Sequence, residues 1–166
     1  MENITQQFEG NDIKPSGTLK VLTILSMIGS ALGLISALST FFMAQKNYDK
    51  VVQMMNSPEV KNAPEFVKNL YNDHTLELAK SGLENKLPIM IIGVLASALC
   101  LYGAIAMRKL QKQGYILWLT GEILPLIGNL FFIGASLYTG ITGIVTLVFP
   151  AIFIILYTVY RKELRY

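Results

Sequence analysis

Three long stretches with almost no charge limit what this chain can fold into more than any other feature. The first two, 21–44 and 87–107, contain 24 and 21 residues without Asp, Glu, Lys or Arg. The third, 114–160, contains 47 residues and a single charge, that of Glu122. A helix needs about 20 apolar residues to cross the roughly 30 Å hydrocarbon core of a bilayer. The first two stretches therefore predict one crossing each.

The third stretch is long enough for two crossings. As one helix it would extend about 70 Å, more than twice the thickness of a bilayer core. Tyr138-Thr139-Gly140 lies near its midpoint and predicts a turn. We therefore predict an all-α polytopic membrane protein built as a single domain, a four-transmembrane-helix bundle. Its predicted helices are 20–43, 87–107, 115–137 and 141–160.

Composition agrees with a membrane protein. Only 15% of the residues are charged, against about 25% in soluble domains. A soluble bundle would also keep a polar stripe on its helices, and these stretches are apolar on all sides. The one cysteine, Cys100, cannot form a disulfide within the chain. The first apolar stretch is longer than the usual 7–15 residues of a signal peptide, so we expect an uncleaved helix.

Basic residues predict the orientation. Eight of the 14 Lys and Arg residues lie in 1–20, 108–113 and 161–166, while the six in 45–86 are balanced by six acids. The positive-inside rule then places the N-terminal segment 1–19, the 108–113 loop and the tail 161–166 in the cytoplasm. The predicted direct partner is thus the lipid bilayer. Nucleic acid is not a predicted partner, because no basic stripe is interleaved with exposed aromatic residues.

The loop 44–86 is the largest segment predicted to lie outside, and its apolar spacing predicts helices, the first of which is either separate or a continuation of the first membrane helix. We therefore expect a helical extracytoplasmic loop between the first two membrane helices. Two interpretations stay open: its apolar faces pack on each other and on the membrane, or they form a docking surface for a partner. His74 has no neighbouring His or Cys, so we predict no metal site. The candidate interaction face consists of Tyr48, Val52, Met55, Phe66, Leu70 and Tyr71.

Small residues predict where membrane helices approach each other, because close packing holds helices together in lipid. They recur every four residues in the first two helices and flank a polar face in the third. The contacts they predict are either within the bundle or between subunits. The candidate packing residues are Gly29, Gly33, Ala37, Gly93, Ser97, Gly121 and Gly128.

Glu122, Pro125 and Asn129 lie at i, i+3 and i+7 of the third helix and share one face. This polar face should point into the bundle or at a partner, because lipid is its least favourable neighbour. Glu122 lies roughly 12 Å from the inner end of its helix, and the apolar stretches contain no Lys, Arg or His. Its carboxyl is either a proton-relay, ion-coupling or substrate site, or a structural group that fixes helix register. Depth matching gives, as its candidate hydrogen-bond partners, Ser26 and Ser30 on the first helix and either Cys100 or Tyr102 on the second.

Aromatic residues near helix ends predict anchors at the two membrane surfaces. These residues are Tyr115, Trp118, Tyr138, Tyr157 and Tyr160. Catalytic signatures are missing: the sequence contains no P-loop, GxGxxG, GxSxG or HExxH motif. We therefore predict neither an enzyme nor a bound cofactor.

One segment resembles a known group of proteins. Met107-Arg108-Lys109-Leu110-Gln111-Lys112-Gln113-Gly114-Tyr115, followed by Gly121-Glu122-Ile123-Leu124-Pro125, is similar to a segment of uncharacterised small four-helix inner-membrane proteins of Bacteroidota. The resemblance spans positions 107–125. It implies a bacterial plasma membrane and no particular activity.

These patterns predict a non-catalytic function. The first expectation is an accessory, assembly or scaffold subunit that acts through helix faces and the outer loop, with other membrane subunits or a second copy as partners. The alternative is a small transporter or an ion- or proton-translocating protein that depends on Glu122. A third, weaker expectation is a sensor whose outer loop binds a ligand.

Overall fold

The computed structural model describes residues 15–165, apart from the side chains of Phe66 and of 140–142. The predicted cytoplasmic segment 1–19 therefore lies mostly outside the described residues. Between 15 and 165 the chain is helical and contains no strand. The helices are α1 Gly17–Asn56, α2 Pro58–Lys61, α3 Glu65–Leu70, α4 Asp73–Glu84, α5 Lys86–Arg108, α6 Lys112–Phe132 and α7 Gly140–Tyr160.

Four helical stretches are long and apolar enough to cross a membrane: Gly17–Asn56, Lys86–Arg108, Lys112–Phe132 and Gly143–Glu163. The prediction of an all-α chain with four such helices is confirmed at this level. Short 3-10 turns, Ala135–Tyr138 and Arg161–Glu163, precede and follow α7.

The first helix is much longer than the predicted 20–43. It contains 40 residues, about 60 Å of continuous helix. The Ser16 side chain accepts a hydrogen bond from Leu19 N–H at its start, and Ser57-Pro58 ends it. The charged residues after position 44 mark where an apolar stretch stops, but they are compatible with a helix. Residues 44–56 therefore extend α1 instead of belonging to a separate loop.

The third long helix also differs from the prediction, because α6 ends at Phe132 and not at 137. Gly134 has a φ of +106°, a backbone conformation that ends helices and favours glycine. The Asn85 side chain then donates to the carbonyl of Phe132 at 2.9 Å. Tyr138 donates its hydroxyl hydrogen to the Leu126 carbonyl at 2.6 Å, and burial raises the pKa of Tyr138 above its ordinary value. Residues 133–139 therefore fold back along the end of α6.

Three short helices, α2 to α4, make up the rest of the predicted helical loop. Ser57 and Asn72 cap α2 and α4 by accepting hydrogen bonds from the backbone N–H groups of Val60 and Thr75. The amphipathic α4 packs against α1, and it leads directly into α5. The three helices α2 to α4, which we call the cap, therefore join the far end of α1 to the start of α5.

Glycines bring α5 and α6 into close antiparallel contact. A Cβ added at Gly103 would lie 2.5 Å from the backbone nitrogen of Trp118, and one at Gly114 would lie 2.5 Å from that of Met107. Gly114, Gly121 and Gly128 recur every seven residues and form one row along α6. Such contacts allow two backbones to approach more closely than larger side chains permit.

One end of the bundle is tightly packed. Here Trp118 and Tyr157 are 0% and 1% exposed, and their ring centroids lie 4.4 Å apart. The chain ends add two hydrogen bonds, from Ser16 N–H to Glu163 Oε2 and from Arg165 N–H to the Leu110 carbonyl. We call this region, which holds the buried side chains of Leu19, Leu22, Met107, Leu110, Trp118, Tyr157 and Leu164, the closed end. Away from it, the first half of α7 is largely exposed.

Candidate functional site

A half-open cavity of about 510 Å³ lies between α1, α5, α6 and α7. Along α1 it extends from Leu25 to Phe41, a rise of about 24 Å. It begins beside the closed end, where Ser26, Cys100 and Phe153 line it, and it ends at the opposite side of the bundle. The fourth helix contributes Phe149, Pro150 and Phe153 as one wall.

Most of the predicted polar and packing residues lie in this one cavity. The exceptions are Tyr102 and Gly128, which do not line it. Those that line it are Ser26, Gly29, Ser30, Gly33, Ala37, Gly93, Ser97, Gly121, Glu122, Pro125 and Asn129. The helix α6 continues through Pro125, so the face shared by Glu122, Pro125 and Asn129 is presented to the cavity along two turns.

Glu122 lies deep in the cavity. The adjacent Gly121 packs against α5 so closely that a Cβ there would lie 2.5 Å from Cys100 Sγ. Glu122 itself is half-buried, and it is within electrostatic range of the Cys100 thiol and the Tyr157 hydroxyl. Within residues 15–165, no hydrogen bond or ion pair engages its carboxyl group. A polar group with no protein partner thus faces the cavity.

The predicted partners of Glu122 are occupied elsewhere. The Ser26 hydroxyl hydrogen-bonds the Tyr157 hydroxyl at 2.8 Å, and Ser30 donates to the Ser26 carbonyl at 2.7 Å. Tyr102 is 63% exposed and does not line the cavity. The structure therefore brings Ser26 and Ser30 into the cavity without bonding them to Glu122, and it leaves Tyr102 outside.

The far end of the cavity carries a positive charge. Lys86 Nζ lies 5.6 Å from the centre of the Phe41 ring, and both residues line this end of the cavity. Among the described lining residues, Lys86 is the one basic side chain. It precedes Cys100 by 14 residues of α5, a rise of about 21 Å. Lys86 is therefore too distant to pair with Glu122.

The predicted packing residues form two sets of helix contacts, and Gly29 belongs to neither. Gly33 contacts Ser97 and Gly93 contacts Ala37, because added Cβ atoms would lie 3.0 Å from Ser97 Oγ and 2.8 Å from Ala37 Cβ. These pairs join α1 to α5. Gly128 in turn packs on Ile92 across the contact between α5 and α6. Gly29 has no atom within 4 Å of an added Cβ.

The candidate face on the outer segment is not one uniform surface. Tyr48, Val52, Met55 and Tyr71 are half-buried, and Leu70 is 49% exposed. The side chain of Phe66 lies outside the described part of the structure. The first three of these residues belong to the extension of α1.

Sequence reasoning missed the role of the closed end. It treated Trp118 and Tyr157 as anchors at a membrane surface, which is wrong, because both are buried in the bundle. It also passed over Gly103 and treated Gly114 only as a boundary. The seven-residue spacing of Gly114, Gly121 and Gly128 was the available signal for a close helix contact.

The hydrogen bond between Ser26 and Tyr157 joins α1 to α7 beside the cavity, and its contribution to stability can be tested. We expect Tyr157→Phe to lower the free energy of unfolding by about 1 kcal/mol, since it removes one buried hydrogen bond and keeps the ring. A double-mutant cycle with Ser26→Ala, measured by thermal unfolding in detergent, isolates the pair. Strictly additive losses from the two changes would contradict this contact.

In residues 15–165 no group of three His, Cys, Asp or Glu side chains could hold a metal ion. Comparisons with protein-family models, with curated proteins and with solved structures found no match to this chain.

Proposed function

We propose that the chain is a multi-pass protein of the bacterial inner membrane with both termini in the cytoplasm. Large apolar side chains on the outside of the long helices support this proposal, among them Phe42 at 78% and Phe131 at 81% exposure. Water is an unfavourable neighbour for so much apolar surface, whereas lipid is a favourable one. The basic residues near the closed end support the orientation.

We further propose that the protein is a small transporter or ion-translocating protein in which Glu122 binds the transported species. The observation that supports this is the carboxyl of Glu122, which faces a half-open cavity and has no partner in the described residues. A structural glutamate that fixes helix register would need hydrogen-bond partners. In the proposed orientation the closed end faces the cytoplasm, and the cavity extends from beside it toward the outer side of the bundle.

An accessory, assembly or scaffold role is the second candidate. The loosely packed first half of α7 favours it, because exposed residues such as Ile144, Val145 and Phe149 leave room for another membrane helix. In this role a partner would complete the surroundings of Glu122. The two proposals differ in what Glu122 is needed for.

Glu122→Gln tests the proposed transport function. In liposomes with a membrane potential, we expect the wild-type protein to carry protons to an internal pH dye, and Glu122→Gln to abolish this flux. The amide keeps the shape of the side chain but cannot exchange a proton. Glu84→Gln is the matched control, because Glu84 lies in α4 with a side chain 62% exposed.

Two readouts separate the candidates. Gel filtration with light scattering of the same proteins should show unchanged assembly for Glu122→Gln if transport is the function. Flux that is equal in all three proteins, together with weaker association of Glu122→Gln, would reject the transporter and favour the scaffold.

A further inference from the structure

We propose that the ligand bound at Glu122 is a lipophilic organic cation, such as a bulky amine or a quaternary onium ion. The inference rests on the proposed function and names its substrate class. It follows from the chemistry of the cavity, which is apolar over most of its length and has a single carboxyl at depth.

The cavity size favours an organic ligand over an inorganic ion. A volume of about 510 Å³ falls within the roughly 300–1,000 Å³ of sites that enclose small organic molecules. A metal ion or Na⁺ needs several oxygen ligands to replace its water shell. Glu122 is the one carboxylate among the described lining residues. The rings of Phe149 and Phe153 offer apolar and cation–π contacts to an organic cation.

The charge of Glu122 favours a lipophilic cation over an acyl chain or a lipophilic anion as the ligand. An acyl chain lying in the cavity would place methylene groups against the Glu122 carboxyl and leave it without a partner, which is costly in an apolar site. An anion would meet a like charge at Glu122, and Lys86 lies too far away, at the other end of the cavity, to offset it. A lipophilic cation satisfies both the apolar walls and the carboxylate.

The proposal includes a proton exchange. An apolar cavity disfavours an isolated carboxylate, so in this proposal the empty site holds the neutral acid. Binding then follows Glu122–COOH + cation → Glu122–COO⁻·cation + H⁺, with the proton released to water. The titratable groups within electrostatic range of Glu122 are the Cys100 thiol of α5 and the Tyr157 hydroxyl of α7, while Lys86 lines the far end of the cavity. Thiols and phenols ordinarily ionise above neutral pH, and α1 contributes only the serine hydroxyls of Ser26 and Ser30.

Tetraphenylphosphonium and tetraphenylborate form a matched pair of probes, since they have nearly the same size and shape but opposite charge. We would measure their binding to the full chain in lipid nanodiscs, with empty nanodiscs as the blank. The proteins are the wild type, Glu122→Gln and the control Glu84→Gln. The unfolding temperature of each confirms that it is folded.

The wild type and Glu84→Gln should bind the phosphonium at least about tenfold more tightly than the borate, and Glu122→Gln should lose this preference. Phosphonium affinity should rise about tenfold per pH unit while the site exchanges its proton, with one proton released per cation bound. Equal binding of both probes, or phosphonium binding that Glu122→Gln and pH leave unchanged, would overturn the proposal. If proton flux depends on Glu122 while the phosphonium does not bind, the substrate class is wrong and the proposed function stands. If neither depends on Glu122, both fail.

Discussion

Gly103→Ala should lower the free energy of unfolding by about 2–3 kcal/mol, whereas Gly29→Ala should leave it unchanged or slightly higher. Both changes add one methyl group to a long helix. At Gly103 the new Cβ would lie 2.5 Å from the backbone nitrogen of Trp118 and 2.7 Å from the Gly114 carbonyl oxygen. Backbone atoms cannot rotate away, so α5 and α6 must separate. A Cβ added at Gly29 would have no atom of another helix within 4 Å.

The thiol of Cys100 can report the unfolding of the Gly103→Ala and Gly29→Ala variants. Cys100 is the only cysteine of the chain and is 7% exposed, so a thiol-reactive fluorescent dye reports its exposure on unfolding. We would record dye fluorescence and helical circular dichroism during the same thermal ramp in mild detergent. Equal unfolding temperatures for the two alanine variants would show that the close contact of α5 with α6 does not stabilise the bundle.

Trp118→Ala should lower the free energy of unfolding by about 3–5 kcal/mol, the usual loss for removing a large buried ring. Trp118 is 0% exposed and its ring packs against that of Tyr157 at an interplanar angle of 50°, so its removal leaves a void in the closed end. Leu19 and Met107, in the same cluster, are also fully buried. They cannot fill the void without moving a helix, which places the loss toward the upper end of this range.

Trp118→Phe separates packing from hydrogen bonding at the same position. The indole Nε1 is buried and has no hydrogen-bond partner in the described part of the chain. Its loss therefore removes no hydrogen bond, and the phenylalanine ring keeps most of the contact with Tyr157. We expect Trp118→Phe to lower the free energy of unfolding by less than half as much as Trp118→Ala does, as measured by the same dye assay. A phenylalanine variant as unstable as the alanine variant would contradict the packing argument.

The four long helices could be predicted because charge-free stretches of sufficient length have few other stable structures. Their ends were less accessible to sequence reasoning. Charge marks where a helix leaves an apolar environment, so it placed the end of the first helix near 43 although α1 continues to Asn56. The end of α6 lies inside an apolar stretch, where hydropathy does not change. There the backbone conformation of Gly134 sets the boundary.

The cavity could be predicted only in part. Spacing along one helix placed Glu122, Pro125 and Asn129 on one face, and the structure presents that face to the cavity. Matching of depth between helices gave the height of a residue but not its direction around the helix axis. Tyr102 follows Cys100 by two residues, or about 200° of rotation, so it lies at a similar height on the opposite side of α5.

The unbroken course of α1 also has a mechanical consequence. One end of this helix is held in the closed end, its middle lines the cavity, and its last turns carry the short helices of the cap. A rigid rod held at one end behaves as a lever. If α1 tilts by about 10° around Leu22, Phe41 moves by about 5 Å, because 19 residues of helix separate them by about 28 Å. A force applied to the short helices α2 to α4 would therefore change the width of the cavity at Phe41, while its other end beside Ser26 would hardly move.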